Sequence, residues 1–585
     1  MKEIKFLLKQ MAKFEPFMFV LIALYSIFIG IRPFIWIISP AYILKNTDKP
    51  FSFFLIFFIV VLLISSLIGF FESFIMNNYR MRMNAIRYRF IRMVTDYSLH
   101  LDFDKQKDKD YIEKINNANK ACRDPFNGAG GIMMELPPLM SVIVSITGFA
   151  WIFFAMGLKI FLIVLAISLI IFWINYKTTK LFRDYWDSQS NNRNIFAKLN
   201  YQLRNPESKQ DILIFDFISL FRSYYMGRNK ERIDGLAEVS NKELKLKSLG
   251  KLISILRDGL MIYWLLSSII RGAIDIGDFY MFFTAIFSFI NFEEEILWTF
   301  SSFRNSAASF RYFLKLFEDE EDGLEEKKLP LPAKMDDFKI EFKNVSFGYP
   351  NTDALVLKDI NLTIHKGESL ALVGENGAGK STLALLLCGL YEPTSGQILL
   401  NGLDIRTYGK NYLDLVGAIF QDSLLMPFTI QENITFKSKE TDLTDIYRKT
   451  RLDEIVESYE DKDKQVLLRT LDENGVDLSG GQKQRIFLSR ALYKDESKLL
   501  ILDEPTAQLD ALAEKDLYML YDKLTRDKAS IFISHRLAST KFCDRVIFLK
   551  NGEITGNNTH ERLIEENEEY RELYNLQAKN YKEVL

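Results

Sequence analysis

Eight residues, Gly374-Glu375-Asn376-Gly377-Ala378-Gly379-Lys380-Ser381, carry the most specific chemistry in this chain. Glycines at these spacings let successive backbone N–H groups turn inward around an anion. The run follows the apolar segment Leu370–Val373 and opens a helix-like segment, Thr382–Leu390, so a helix N-terminus faces the same point. In such a cradle Lys380 reaches the outer phosphates of a nucleotide, and Ser381, followed by Thr382, reaches Mg²⁺. A glycine turn ahead of an ordinary helix is the plain alternative, and the strand–loop–helix context argues against it. A second run, Leu499-Leu500-Ile501-Leu502-Asp503-Glu504, reads as a buried strand that delivers two carboxylates at its end. Asp503 suits a Mg²⁺ shell, and Glu504 suits a general base that polarises water. Alone this pattern is weak, because many strands end in acidic residues.

Between the two lies Leu478-Ser479-Gly480-Gly481-Gln482, which resembles the signature of ATP-binding cassette (ABC) proteins. Other family positions then follow in family order from Ile340 onward, and the resemblance implies their roles. Tyr349, in Phe347-Gly348-Tyr349-Pro350, stacks on adenine. Gln421 links the γ-phosphate and Mg²⁺ site to the membrane domain. Asp510 crosses to a partner subunit, and His535 contacts the γ-phosphate. Ser479, Gly480, Gly481 and Gln482 close over the phosphate cradle of a second chain. Each residue has a plain reading: Tyr349 ends a strand, Asp510 caps a helix, His535 is structural. The ordered set carries the inference. It implies ATP and Mg²⁺ as cofactors, and ATP as the glue between two cassettes that releases them on hydrolysis.

The elements that position these residues form a layered α/β domain. Strand-like runs at Ile340–Phe347, Leu370–Val373, Lys498–Leu502, Ser530–Ile533 and Arg545–Leu549 alternate with helix-like segments. The N-terminal half is different. It holds six apolar stretches, roughly Pro16–Leu44, Phe51–Met76, Ile132–Met156, Leu158–Ile174, Leu249–Ile270 and Phe279–Trp298, each long enough to cross a bilayer. The first is too long for the core of a cleaved signal, and no cleavage site follows it. The loops after the second and fourth stretches are long and charged. With Lys2, Lys5, Lys9 and Lys13 they place the N-terminus, both loops and the C-terminal half in the cytosol. The expected architecture is an all-α membrane domain of six transmembrane helices (1–317), a linker (318–337), and a P-loop ATPase domain with a helical subdomain (338–585). The resemblance adds that two cytosolic loop tips, Asp104–Ala118 and Asn205–Asp216, transmit motion between the domains; ordinary charged loops are the plain alternative.

The formal net charge of -2 gives no electrostatic case for nucleic acid. Cys122, Cys388 and Cys543 have no metal or redox spacing. Charges inside the apolar stretches are costly: Arg32, Glu135, Arg257, Asp258 and the run Glu293-Glu294-Glu295. The run reads either as a solvated helix end or as an acidic lining for cationic cargo.

The resemblance as a whole is to one half of an ATP-driven exporter of bacterial type. Its C-terminal region resembles a subgroup of which several members move peptides, though no peptidase-sized domain precedes the first stretch. A siderophore-type importer of the same architecture is one alternative; an ATP-gated regulatory or channel-type protein is another, disfavoured by Glu504 and the intact signature. The expected partner is a second half-transporter in the bilayer. A homodimer is favoured because signature and glutamate are both intact, while Ala507-Gln508 departs from the family's small residues and leaves a heterodimer open. No motif names the cargo.

Overall fold

The computed structural model describes residues 2–204, 206–318, 329–332, 337–350, 352, 354–494, 497–503, 521, 527–534, 540–541 and 543–582. Most of the expected linker, and Glu504, Asp510 and His535, lie outside them. The chain divides into two compact units. One is Met1–His100 with Asp110–Asp322; the other is Leu101–Lys109 with Gly323–Leu585.

The first unit is helical: α1 (Lys2–Phe14), α2 (Phe17–Lys45), α3 (Phe51–His100), and, after α4 (Phe103–Lys107) of the other unit, α5 (Lys109–Arg123), α6 (Gly128–Met156), α7 (Leu158–Ser188), α8 (Ser190–Arg204), α9 (Pro206–Ile214), α10 (Phe217–Ile270) and α11 (Ile276–Glu318). Apolar runs of this length must close every backbone hydrogen bond within themselves, which selects helix. Among the described residues, five stretches are long and apolar enough to cross a membrane: α2, α3, α5 with α6, α7 and α10. The expected sixth, α11, is 43 residues long, but Asp278, Asn291 and Glu293–Glu295 interrupt its apolar stretch. It still packs closely against α6 and α2. Prolines at 33 and 40 in α2 and at 137 and 138 in α6 remove backbone donors inside the bundle. Ser26 donates to the Pro137 carbonyl at 3.0 Å, and Ser141 to the Pro138 carbonyl at 2.7 Å. Helices α2 and α6 touch at Gly30, where a Cβ would lie 2.6 Å from that of Val144.

The second unit contains two sheets. A four-stranded antiparallel sheet runs β2–β1–β4–β5, from β1 (Lys339–Phe347), β2 (Leu357–His365), β4 (Ser395–Leu400) and β5 (Leu403–Asp404). A six-stranded sheet runs β10–β9–β3–β8–β7–β6, with β3 (Ser369–Gly374), β6 (Val416–Ile419), β7 (Leu499–Asp503), β8 (Ala529–Ile533), β9 (Arg545–Lys550) and β10 (Glu553–Asn558). Only the β10–β9 pairing in it is antiparallel. Strands β7 and β8 are buried throughout, as parallel strands covered on both faces must be. Helix α12 (Lys380–Leu387) follows β3, and a helical subdomain, α13 (Ile430–Thr435), α14 (Thr444–Thr450), α15 (Asp453–Glu457) and α16 (Gly480–Tyr493), closes around its own apolar core.

Candidate active site

Parallel α/β sheets bind ligands beyond the carboxyl ends of their strands. Here register brings the motifs to that edge. Leu372 of β3 pairs with Ile533 of β8, Ile533 with Asp503 of β7, and Leu502 with Ile419 of β6. The phosphate-loop motif, the end of β8 at Ile533, Asp503 and the segment leading to Gln421 thus leave four adjacent strands at one level. Sequence spacing could not supply this, because the segments are about a hundred residues apart in places.

The loop after β3 has the backbone an anion cradle needs. Gly377 and Gly379 have φ of +80° and +103°, a region that L side chains rarely adopt. A Cβ on Gly379 would lie 2.7 Å from the tip of the Leu357 side chain, which would have to shift to admit it. Lys380 is 5% exposed, and its ammonium donates to the Gly374 and Glu375 carbonyls at 3.0 and 2.9 Å, holding it over the loop. Ser381 stands in the first turn of α12, and Asp503 is buried at the end of β7. Backbone donors, one cation, a hydroxyl and a buried carboxylate fit a nucleotide with its Mg²⁺. Behind them, burial pushes the Cys388 thiol up to about 12, so it is inert packing rather than a nucleophile.

Tyr349 ends β1's extension beside this loop. Its hydroxyl and that of Thr382 are 2.8 Å apart, and its ring meets Phe347 and Tyr391 edge-on at 5.2 and 5.5 Å. Sequence reading missed Tyr391 and a further neighbour: Phe103 of α4, whose ring lies 5.4 Å from Tyr391. The first part of the first loop tip, within Leu101–Lys109, is therefore part of the ATPase unit, and an aromatic contact run connects it to the helix of the phosphate loop.

The signature motif is a helix start built to be seen from outside. Leu478 is buried in the subdomain core, while Ser479 is exposed. Ser479 caps α16 reciprocally with Gln482: the Gln482 N–H donates to its Oγ at 3.4 Å, and its own N–H donates to Gln482 Oε1 at 2.9 Å. Gly480 and Gly481 leave the first turn without side chains, so its dipole faces outward. Gln421 is exposed too, and apolar Leu424, Met426, Phe428 and Phe436 lie exposed in the segment after it.

In the helical unit a cavity of about 1220 Å³ is lined by Trp186, Trp298, Glu243, Lys251, Glu294 and Lys315, among others. Its wall bears on one residue of the acidic run, Glu293; Glu294 and Glu295 are exposed. Arg257, fully buried, donates to both Glu293 carboxylate oxygens at 2.7 Å, to Asp258 at 3.0 Å and to Ser168 at 2.9 Å. Glu293 is therefore neither solvated nor free for cargo. Glu294 lies 3.4 Å from Lys251, and Glu243 2.6 Å from Lys247. The lining offers paired charges, not a bare acidic surface.

Residues 357–507 match the protein family described as "ABC transporter". Over 619 aligned residues the chain is 28% identical to the subtilin transport ATP-binding protein SpaT of Bacillus subtilis, covering 100% of this chain and 98% of that one. It is 27% identical to the nisin transport ATP-binding protein NisT of Lactococcus lactis subsp. lactis, over 89% and 86% of the two chains. In fold it is similar to a bacterial Atm1-family ABC exporter solved with ATP bound, with a TM-score of 0.75 at 20% identity over 97% of this chain and 99% of that one. Residues 357–507 thus carry an ABC transporter ATPase domain, and the chain as a whole is similar to ABC exporters that have membrane and ATPase domains on one polypeptide.

Proposed function

We propose that two copies of this chain form a peptide exporter with two equivalent, composite ATP sites. The protein sits in the cell membrane, with its ATPase domain in the cytoplasm, and couples ATP hydrolysis to transport. The observation that carries the dimer is the signature helix: a capped, glycine-faced N-terminus, exposed at Ser479. Such an end attracts phosphate. In this reading it completes the phosphate loop of the other chain, and Asp510 crosses alongside it.

Within one site the loop amides and Lys380 bind and orient the phosphates, and Tyr349 holds adenine. Ser381, Gln421 and Asp503 would hold Mg²⁺, which supplies charge neutralisation at the γ-phosphate. The Glu504 carboxylate takes the proton of the attacking water, and His535 steadies the γ-phosphate from the end of β8. ATP is gripped by both chains and ADP mainly by one, so hydrolysis removes contacts that favour the closed pair. Peptide cargo is supported by the full-length similarity to the subtilin and nisin transport proteins. The cavity's paired charges, hydroxyls and indoles suit a chain of amides better than a lone cation.

The test uses the chain expressed alone. Purified dimers should hydrolyse ATP cooperatively, and inside-out vesicles should accumulate a labelled peptide in an ATP-dependent way. A protein inactive until a different half-transporter is added refutes the homodimer. Stimulation by lipids or drugs but by no peptide refutes the cargo.

A further inference from the structure

Helix α1 has two faces. Leu7 and Met11 are fully buried, and Phe6 lies among the rings of Phe90, Phe310 and Phe313 at 6.1–6.3 Å. Phe310 and Phe313 belong to the last turns of α11, whose end leads to the ATPase domain, so α1 lies at the cytoplasmic end of the bundle. The opposite face carries Lys2, Lys5, Lys9 and Lys13, all exposed, at spacings of three, four and four residues. That spacing places four ammonium groups in one stripe along the helix. The one carboxylate in α1, Glu3, is buried and accepts from Arg311 at 2.7 Å, so it does not offset the stripe. Among the described residues, Lys2 makes a long, exposed contact with Glu318 at 3.9 Å.

The stripe ends beside an apolar helix long enough to cross a membrane. Two residues, Glu15 and Pro16, separate α1 from the span α2. At this junction Phe14 and Phe17 are exposed, and cations cover them: Arg89 lies 4.0 Å and Lys13 5.1 Å from the Phe14 ring centre, and Arg82 5.0 Å from that of Phe17. Glu15 is neutralised by Arg82 at 2.6 Å. Exposed aromatics under cations, at the start of a lipid-spanning helix, match the boundary between acyl chains and headgroups.

We propose that the outer face of α1 is a docking surface for anionic phospholipid headgroups of the cytoplasmic leaflet, with Lys5, Lys9 and Lys13 as its principal contacts. The argument is charge complementarity and continuity: a cationic stripe three residues from a membrane span meets the leaflet that carries negative charge. A soluble acidic protein or a second copy of this chain is the competing occupant.

The test reconstitutes the full-length protein in nanodiscs of phosphatidylcholine alone, or with about one third phosphatidylglycerol, and reads the thermal midpoint and the phosphatidylglycerol enrichment around the protein. The wild type should gain stability and enrich the anionic lipid, and high salt should reverse both. The triple variant Lys5→Gln, Lys9→Gln, Lys13→Gln should lose the gain, with apparent lipid affinity down by about fivefold per lysine. The matching arginine variant should keep it. Equal gain in wild type and glutamine variant overturns the proposal, as does enrichment that salt leaves untouched. Loss in the arginine variant too would point to a shape-specific protein partner and also overturns it. If the triple glutamine variant misfolds in phosphatidylcholine, Lys9→Gln alone decides, with the fivefold loss expected and no loss fatal.

Discussion

In the proposed mechanism two side chains divide the chemistry at the phosphate edge, and removing each should fail differently. Glu504→Gln keeps shape and hydrogen bonding but not basicity. Nucleotide binding should persist, hydrolysis should fall by about two to four powers of ten, and a closed dimer should accumulate on gel filtration. Turnover near the wild-type rate would remove Glu504 from the base role. Lys380→Ala instead deletes the cation that the structure holds over the loop carbonyls. Its failure should appear in a binding titration as weakened ATP affinity; unchanged affinity would contradict the role. Sequence could propose these residues because each sits in a contiguous motif. Tyr391 was not: a lone tyrosine carries no motif, and only folding sets it against Tyr349 and Phe103.

At the scale of elements, apolar length marked the long helices, and uninterrupted apolar runs marked β3, β7, β8 and β9. Strands β2, β4 and β10 escaped because they alternate or expose polar residues, as in Leu357–His365 and Glu553–Asn558. Partnership between helices was also illegible. Arg257 and Glu293 are 36 positions apart on different helices, and no periodicity reports that they meet. That pairing makes a prediction. Arg257→Leu leaves the half-buried Asp258 and Glu293 carboxylates without their shared cation, and stability should fall by about 3–5 kcal/mol. Arg257→Leu with Glu293→Leu should recover much of the loss in a thermal or denaturant melt in detergent. A double variant as unstable as the single one would show that the network has another anchor.

For the whole molecule, sequence marked the division into a membrane part and an ATPase part by composition, but not the detour of Leu101–Lys109 into the ATPase unit. A polar loop tip looks the same in sequence whether it packs or not. Phe103, Tyr391, Tyr349 and Thr382 form a run of contacts that ends in the phosphate-loop helix. Phe103→Ala should therefore raise the KM for ATP and blunt cargo-stimulated hydrolysis more than basal kcat, and Phe103→Tyr should restore both. A variant with wild-type KM and full stimulation would show that the ring only fills space.

That detour also bears on how the protein can be taken apart. An ATPase fragment cut at residue 323 would lack nine residues that the folded unit counts as its own, Leu101–Lys109. It would leave Tyr391 without the Phe103 ring that packs on it. Supplying the missing piece as a separate peptide would amount to fragment complementation, with the exporter's first loop acting as a detachable subunit of its motor.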